Sequence, residues 1–390
     1  MRLIAAGLAG CIAIGLAECG LRLLEIGFPQ IYATDQFCGS RLRAGSSGWW
    51  TSEGHGYVSI NRFGLRGPET TIEKPDGVTR IAVLGDSFME ALQVDWEQSF
   101  CGQLESLLNL EHPDKQCGRV EVLNFGVSGY GTAQELLMLK HYVWQFSPDI
   151  VLLGFFPEND IRNNSRSLEQ NDTKPYFELV DGGLTLDASF LTSVAYVTAN
   201  SGYEQNKATI VNRSNLLQVL KEAKRIWSLR RSRSSSLSSD QDNPEARLAS
   251  AVNSTRHCYA EPATQEEQLA WKVTERLLAE MHVEVTQHAA KLHVFTISTP
   301  LSGWPNHKTR AAVLKATGLS DSLYAERRLR ASCKNAGISM IPLGEQMLKH
   351  ARDADVYLHG FDNSGLGFGH WNAAGHKVAA KIVAEALLSQ

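Results

Sequence analysis

Five short apolar runs, rich in β-branched residues, constrain the fold of this chain more than any other feature. They are RIAVL at 80–84, VEVLNF at 120–125, DIVLLGF at 149–155, LHVFTIS at 292–298 and GISMIPL at 337–343. Each run is nearly continuous rather than alternating between apolar and polar residues, which is typical of strands covered on both faces. The runs therefore predict the strands of one buried parallel sheet.

Helical patterns lie between these runs. Apolar residues recur at spacings of three and four over 100–110 and 132–145. Thr264-Gln-Glu-Glu267 forms a capping box that predicts a helix ending near residue 290. Strands that alternate with helices predict an α/β fold, a three-layer α/β/α sandwich built on a five-stranded parallel sheet.

The alternation stops in the middle of the chain, and we interpret residues 165–263 as an insertion in a domain that spans 80–390. Within it, PYFELVDGGLTL predicts a hairpin turning at Asp181-Gly182, and 215–229 predicts an amphipathic helix. The polar stretch RRSRSSSLSSDQDNPEA predicts a solvated linker. Residues 28–79 are predicted to be an irregular lead-in packed on the domain.

Residues 1–27 differ in kind from the rest, because Met1-Arg2 precedes an uncharged stretch from Leu3 to Ala17. As a helix this stretch would span about 22 Å, less than the ~30 Å of a hydrocarbon core. A cleaved signal peptide, an uncleaved membrane anchor and a buried N-terminal helix are all compatible with this pattern. We expect an exported, periplasmic or extracytoplasmic protein that is tethered to a membrane by this segment.

The charge balance and the metal-ligand residues exclude some classes of function. A formal net charge of −4 gives no basic surface of the kind that nucleic acid binding requires, so no nucleic acid partner is predicted. The seven cysteines form no CxxC pair, and the twelve histidines form no HExxH motif. We predict no metal and no cofactor. Buried thiols are the expected state of most cysteines beyond the leader, with one or two disulfides as the alternative.

Ser87 is the first candidate for chemistry, because it follows the first apolar run within Gly85-Asp86-Ser87. In an open parallel sheet, sites form beyond the carboxyl ends of the strands. A serine hydroxyl attacks an acyl carbon only when a base takes its proton and donors stabilise the oxyanion. The alternative is that Ser87 merely caps the helix that follows.

Donors and a base are present at the other predicted strand ends. Gly129 lies in the glycine-rich turn NFGVSGYGT, and Asn159 lies in GFFPENDIRNN. Their backbone N–H and side-chain amide are candidate oxyanion donors, together with the N–H of Ser87. His370 in GFGHWNAAGH precedes a final helix that Asn372 is expected to cap. His376, inside that helix, is the alternative base.

These four blocks occur in the order in which they occur in the SGNH, or GDSL-type, hydrolases, and the chain resembles that family from about residue 80 to 388 outside the insertion. The resemblance implies Ser87 as the nucleophile and His370 as the general base. It also implies an oxyanion hole formed by the Ser87 N–H, the Gly129 N–H and the Asn159 amide. The sheet is then expected to have flavodoxin-like strand order.

One position departs from the family pattern. The family places an aspartate three residues before the histidine, and this chain has Gly367 there. Either Asp362 reaches back from the same loop, or a backbone carbonyl orients the imidazole and the site is a Ser–His dyad. The dyad is favoured slightly, because an acceptor need not be charged to fix the tautomer.

The predicted function is a serine-dependent esterase that cleaves acyl groups, with O-acetyl esters on carbohydrate suggested by the resemblance alone. An acyltransferase to polysaccharide hydroxyls and a non-catalytic glycan-binding module on the same fold are the alternatives. Trp49, Trp50 and Trp371 are compatible either with stacking on sugar rings or with packing. The segment INRFGLRGPE is expected to be a structural turn, with a role at the substrate entrance as the alternative.

Overall fold

A parallel five-stranded sheet forms the centre of the molecule in the computed structural model, which describes residues 2–110, 118–233 and 243–389. The strands are β1 Tyr32–Asp35, β2 Gly39–Leu42, β3 Ser47–Trp50, β4 Gly56–Ser59, β5 Val78–Gly85, β6 Arg119–Asn124, β7 Ile150–Phe155, β8 Tyr176–Val180, β9 Gly183–Asp187, β10 Lys291–Thr296 and β11 Ser339–Ile341. The α-helices are α1 Arg2–Leu23, α2 Ser87–Glu90, α3 Phe100–Leu110, α4 Thr132–Met138, α5 Pro157–Asn163, α6 Arg166–Glu169, α7 Val194–Ala199, α8 Gly202–Asn212, α9 Asn215–Arg233, α10 Pro244–Ser254, α11 Gln265–Gln287, α12 His307–Thr317, α13 Tyr324–Asn335, α14 Gly344–Ala354 and α15 Ala373–Leu388.

The sheet consists of the five predicted strands in the order β11-β10-β7-β5-β6, with every neighbouring pair parallel. Counted along the chain, this order is 2-1-3-4-5, which is the flavodoxin-like arrangement. The predicted fold class is therefore confirmed. The last strand is shorter than the predicted run 337–343, since Gly337 has a φ of +71° and Pro342 has no N–H to continue the ladder.

Both faces of the sheet are buried, as the continuous apolar runs predict. In β5, Ala82 and Leu84 contribute to the core on one face, together with α4 and α11. Ile81 and Val83 contribute to the core on the other face, together with α3 and α15. Burial of each large aliphatic side chain in these layers stabilises the fold by about 1.5–3 kcal/mol. The result is a three-layer α/β/α sandwich.

The lead-in contains two short antiparallel hairpins, β1–β2 and β3–β4. The segment INRFGLRGPE is a hydrogen-bonded turn between β4 and the sheet, in which Asn61 Oδ1 accepts from the N–H of Leu65. Arg66 from the same segment is fully buried, and its guanidinium donates to the carbonyls of Glu90 and Val94. This part of the lead-in therefore supports the chain that follows Ser87.

The insertion contains the predicted hairpin, β8 and β9, which turns at Asp181-Gly182. The predicted helix at 215–229 is also present as α9, and it continues to Arg233. Within the described part of the insertion, α6, α7 and α8 precede α9, and α10 follows it. Residues 234–242 of the predicted linker lie outside the described residues. Of the cysteines, Cys38, Cys101, Cys258 and Cys333 are buried and free, Cys11 and Cys19 are exposed and free, and Cys117 lies outside the described residues.

The N-terminal helix α1 is longer than the uncharged stretch alone. Its 22 residues span about 33 Å, enough for a hydrocarbon core. An 18-residue window of α1 has a mean hydropathy of 1.9. Among the described residues, α1 is the one helix that is long and apolar enough to cross a membrane, although signal sequences and core helices meet the same criterion. No residue of α1 is buried.

Candidate active site

Ser87 lies at the carboxyl edge of the sheet, where β5 ends. Asp86 caps the short helix α2, because its Oδ1 accepts a hydrogen bond of 2.9 Å from the N–H of Phe88. The residue that caps this helix is therefore Asp86 and not Ser87. The Ser87 hydroxyl is left free of a capping role, at the first position of the helix.

His370 meets Ser87 across the sheet edge. The Nε2 atom of His370 lies 2.7 Å from the Ser87 Oγ, although 283 positions separate the two residues. His370 stands in the loop before α15, whose start is fixed by Asn372: its Oδ1 accepts from the N–H groups of Ala374 and Gly375, as expected. The His370 side chain is 24% exposed and Ser87 is 7% exposed, so the imidazole is the more solvent-accessible member of the pair.

Glu53 is the partner of the second imidazole nitrogen. Its Oε2 lies 2.5 Å from His370 Nδ1, and its Oε1 accepts a hydrogen bond of 3.0 Å from the His370 N–H. Glu53 belongs to the turn between β3 and β4 in the lead-in. That turn is held in place by Asn363, whose side chain bonds both the N–H and the carbonyl of Gly54. A carboxylate at Nδ1 fixes the tautomer in which Nε2 is free to accept the serine proton.

The sequence predicted either Asp362 or a backbone carbonyl as the acceptor at His370 Nδ1, and both predictions are wrong. Asp362 is exposed and makes no hydrogen bond to His370, and the acceptor at Nδ1 is a carboxylate rather than a backbone carbonyl. The glycines of this loop explain the difference. A Cβ at Gly367 would overlap the ring of Trp304, and a Cβ at Gly369 would overlap the Glu53 carboxylate. The space beside His370 is therefore occupied by an acid from the lead-in.

The charges of the site agree with this geometry. Burial alone would lower the pKa of His370, but the hydrogen bond and the negative charge of Glu53 outweigh it and raise that pKa. Burial alone would raise the pKa of Glu53, but its hydrogen bonds to His370 outweigh it and lower that pKa. The pair thus favours a protonated imidazole beside an ionised carboxylate, which is the state that forms when histidine takes the serine proton.

Asn159 lies at the end of β7, in the first turn of α5. Its Nδ2 donates a hydrogen bond of 2.6 Å to Asp86 Oδ2, so one carboxylate links the Ser87 helix to Asn159. Asp86 is fully buried, and burial raises its pKa to about 6. An amide carries two N–H bonds, so the second remains for another acceptor. The structure brings Asn159 to the same sheet edge as Ser87.

Gly129 lies in the loop between β6 and α4 with a φ of +78°, and no atom lies within 4 Å of where its Cβ would be. Its carbonyl accepts hydrogen bonds from Asn163 Nδ2 at 3.1 Å and from Lys174 Nζ at 3.4 Å. Within the described residues, neither the N–H of Gly129 nor that of Ser87 donates a hydrogen bond. Both N–H groups are therefore available to a ligand.

The remaining sequence candidates lie elsewhere. His376 is fully buried in α15, and its Nδ1 accepts from the N–H of Phe100 rather than contacting Ser87. Burial lowers the pKa of His376 to about 3. Trp371 is also fully buried and donates to Ser298, so it packs in the core and does not face a sugar from solvent. Trp49 and Trp50 are half-buried in β3.

Glu53 was not found by sequence reasoning, and the sequence around it carries no signal for it. The stretch SEGHG has neither periodicity nor a motif, and its partner lies 317 positions away. The only indirect sign is the glycine at 367, where the resemblance implies an acid.

No family model matches the chain, and no curated protein matches it. Among solved structures, the chain is similar to an alpha/beta hydrolase enzyme from the metagenome of Lake Arreo, Spain, at 13% identity and a TM-score of 0.37, covering 81% of this chain and 97% of the other. It is also similar to a catalytic mutant of an acetylxylan esterase from Geobacillus stearothermophilus, at 11% identity and a TM-score of 0.37, covering 79% and 93%. A GDSL-like lipase from Bacteroides thetaiotaomicron is similar at 11% identity and a TM-score of 0.31, covering 82% and 92%.

Proposed function

We propose that this protein is a serine esterase of the SGNH type, with Ser87 as the nucleophile, His370 as the general base and Glu53 as the residue that positions the base. The observation that carries the proposal is the continuous hydrogen-bonded chain from Ser87 Oγ through His370 to the Glu53 carboxylate. A hydroxyl, an imidazole and a carboxylate in this sequence of contacts are the groups that acyl transfer requires.

The reaction proceeds in two steps. Ser87 Oγ attacks the ester carbonyl carbon while His370 Nε2 takes the hydroxyl proton, and Glu53 stabilises the imidazolium that forms. The tetrahedral intermediate collapses, the C–O bond to the alcohol breaks, and His370 returns the proton to the leaving oxygen. Water then repeats the sequence on the acyl-serine and releases the carboxylic acid, which restores the Ser87 hydroxyl.

The oxyanion of each tetrahedral intermediate would be held by the N–H groups of Ser87 and Gly129 and by the amide of Asn159. The proposal is supported by the two free N–H groups and by the remaining N–H of the Asn159 amide at the same edge of the sheet. Asp86 orients the Asn159 amide. Donors fixed before the reaction stabilise developing negative charge without reorganisation.

The substrate we propose is an O-acylated carbohydrate, with acetyl as the acyl group, and the basis for it is the resemblance to exported members of the SGNH family. We further propose that the protein acts outside the cytoplasm, anchored by α1. That anchoring is supported by the length of α1, its apolar composition and the absence of any buried residue in it. The domain we propose to carry the reaction is 80–390, completed by Glu53 from the lead-in.

A fluorophosphonate probe tests the nucleophile. Wild-type protein is expected to be labelled, and Ser87→Ala is expected to lose the label. The matched control is Ser298→Ala, because Ser298 also bonds a histidine, His359, at 2.9 Å but is only 1% exposed. Labelling that survives in Ser87→Ala would refute the proposal.

Product analysis then distinguishes hydrolysis from acyl transfer. With an acetylated oligosaccharide in water, release of acetate in step with loss of the ester is the expected result. Transfer of the acetyl group to a second glycan would identify an acyltransferase instead. Absence of both reactions and of labelling would identify a binding module.

A further inference from the structure

The face of α9 that points away from the molecule is apolar and basic. Leu217, Leu220, Lys224, Trp227 and Arg231 follow one another at spacings of three and four, which places them in one stripe along the helix. All five are exposed, with Leu220 at 57% and Trp227 at 62%. We refer to these five residues as the α9 stripe.

The opposite face of α9, which packs against the rest of the chain, is polar. Gln218 is buried there, and Glu222 accepts a hydrogen bond of 3.0 Å from the Thr51 hydroxyl of the lead-in. Arg225 is paired with Glu222 on the same face. A helix on a protein that meets only water has the reverse pattern, with its apolar face inward. The distribution on α9 therefore indicates that its outer face meets an apolar medium.

The start of α9 is joined to the candidate membrane-spanning helix. The Glu18 carboxylate of α1 accepts hydrogen bonds of 3.0 Å from the N–H groups of Asn215 and Leu216. Leu23 and Leu24, where α1 ends, are 85% and 70% exposed. These hydrogen bonds thus fix the start of α9 to the C-terminal part of α1.

The charge of α9 is suited to an anionic surface. Its only acidic residue is Glu222, which lies on the inward face and is paired. Lys221 and Lys224 are exposed beside the leucines and Trp227. Tryptophan favours the boundary between headgroups and acyl chains, and basic residues at the same depth attract anionic lipid headgroups.

We propose that α9 is an interfacial helix that lies on the lipid bilayer, with the apolar residues of the α9 stripe at the level of the acyl-chain boundary and its basic residues among anionic headgroups. The proposal rests on the proposed anchoring role of α1. It adds a second contact with the membrane, so the catalytic domain is held at a fixed orientation on the bilayer rather than on a loose tether.

The test uses the full chain reconstituted in vesicles of phosphatidylcholine and phosphatidylglycerol in which a fraction of the acyl chains is brominated. Bromine quenches tryptophan emission only at short range. The drop in emission caused by bromination is expected to be larger for wild type than for Trp227→Phe, because the variant lacks the indole that the α9 stripe places at the bilayer. Equal drops in the two proteins would overturn the proposal.

A matched pair of variants tests the docking itself. Leu220→Asp is expected to reduce the bromine quenching to the level of Trp227→Phe, whereas Leu269→Asp on α11, with a similar exposure of 51%, is expected to leave it unchanged. Quenching that is insensitive to Leu220→Asp would contradict the assignment.

Two further measurements test the anchoring by α1, the docking of α9 and the esterase activity separately. Release of the full chain from the vesicles by an alkaline carbonate wash would refute the anchoring by α1, and with it the inference. A retained chain whose Trp227 is not quenched would refute the docking of α9 alone. Esterase activity toward a soluble ester, measured on the same samples, reports the proposed function independently and is expected to be unchanged in Leu220→Asp.

Discussion

At the level of single residues, replacing Glu53 by glutamine examines how His370 is held. The amide of glutamine can donate to Nδ1, which would stabilise the tautomer with a proton on Nε2 and prevent that atom from accepting the serine proton. We expect kcat to fall by roughly 10²- to 10⁴-fold, the range in which loss of the orienting carboxylate acts. Steady-state kinetics on a soluble ester measure this fall in kcat. Asp362→Asn is the control, since Asp362 is exposed and does not contact His370, and its kinetics should match wild type.

The same variant has a signature in the pH profile. A general base must be unprotonated, so kcat/KM falls as the pH drops through the pKa of His370. Glu53 raises that pKa, so the acidic limb of the wild-type profile is expected above the ordinary histidine value of about 6.5. In Glu53→Gln the limb should move to lower pH. If the acidic limb stays in place while activity falls, Glu53 orients the His370 ring but does not raise its pKa.

Asn159→Ala removes a proposed oxyanion donor. We expect kcat to fall by roughly 10²- to 10³-fold with a small change in KM, because the interaction is made in the transition state. The control is Asn206→Ala at an exposed position of α8. Thermal unfolding of both variants separates a catalytic effect from loss of the Asp86 hydrogen bond. Wild-type kcat in Asn159→Ala would remove this residue from the oxyanion hole.

At the level of elements, the glycine-rich loop before α15 makes room for Glu53. Gly369→Ala would place a methyl group in the space of the Glu53 carboxylate, at a backbone φ of +76°. We expect a loss of activity that approaches that of Glu53→Gln, because the acid must move away from Nδ1.

The matched control for that loop is Gly182→Ala in the hairpin of β8 and β9. Its φ of +79° is nearly the same, but its Cβ would meet no atom within 4 Å. Both variants should lose about 1 kcal/mol of stability from the positive φ, measured by chemical unfolding. Only Gly369→Ala should lose activity, and equal activity losses in the two variants would contradict the steric account.

The elements that could be predicted from the sequence are those whose burial leaves a continuous pattern. The runs that form β5 and β7 are apolar throughout because both faces of the sheet are covered. The hairpins β1–β2 and β3–β4 were not predicted, since their four-residue strands, such as Ser47–Trp50, carry no apolar run. The predicted helix at 132–145 is α-helical only to Met138, beyond which it continues as π and 3-10 turns.

The residues of the candidate site likewise fall into those that the sequence predicts and one that it does not. Ser87, Gly129, Asn159 and His370 each follow a recognisable strand or precede a recognisable helix, so local sequence places them at one edge of the sheet. Glu53 lies in a turn of a hairpin that the sequence does not predict. Its position depends on how the lead-in packs on the loop before α15, and packing between distant segments leaves no local pattern.

At the level of the whole molecule, two buried acids behind the site make stability depend on pH. Glu135 on α4 and Asp160 on α5 are fully buried side by side. Burial raises the pKa of both; the negative charge of Asp160 adds to this effect at Glu135, and that of Asp86 adds to it at Asp160. Asp160 is held by hydrogen bonds from Thr132 Oγ1 and the N–H of Phe156. The native state therefore keeps protons that the unfolded chain releases at neutral pH.

The sign of this linkage gives a prediction. A folded pKa above the unfolded value stabilises the fold at low pH, and that contribution is lost as the pH rises through the folded pKa. We expect the free energy of unfolding to fall as the pH rises from about 4, where unfolded carboxyls titrate, to about 8, the raised pKa of Asp160, by about 1.4 kcal/mol per pH unit for each proton retained. Urea unfolding at several pH values measures the slope.

Glu135→Gln should make that slope shallower, because it removes one of the buried acids that keep a proton in the native state. The control is Glu280→Gln on α11, where the carboxylate is 40% exposed in a surface ion pair with Lys140. Its slope should equal that of wild type. An unchanged slope in Glu135→Gln would mean that Glu135 does not keep a proton in the native state.

In the proposed mechanism, the contacts of His370 with Ser87 and Glu53 also determine when the protein becomes active. Glu53 and Ser87 are synthesised early, whereas His370 follows Ser87 by 283 positions. Until that last portion emerges, the growing polypeptide has no base, however well its first strands have folded. With His370 as the proposed base, ester cleavage is expected only after His370 has been synthesised, and a product shortened before His370 is expected to be inert toward esters.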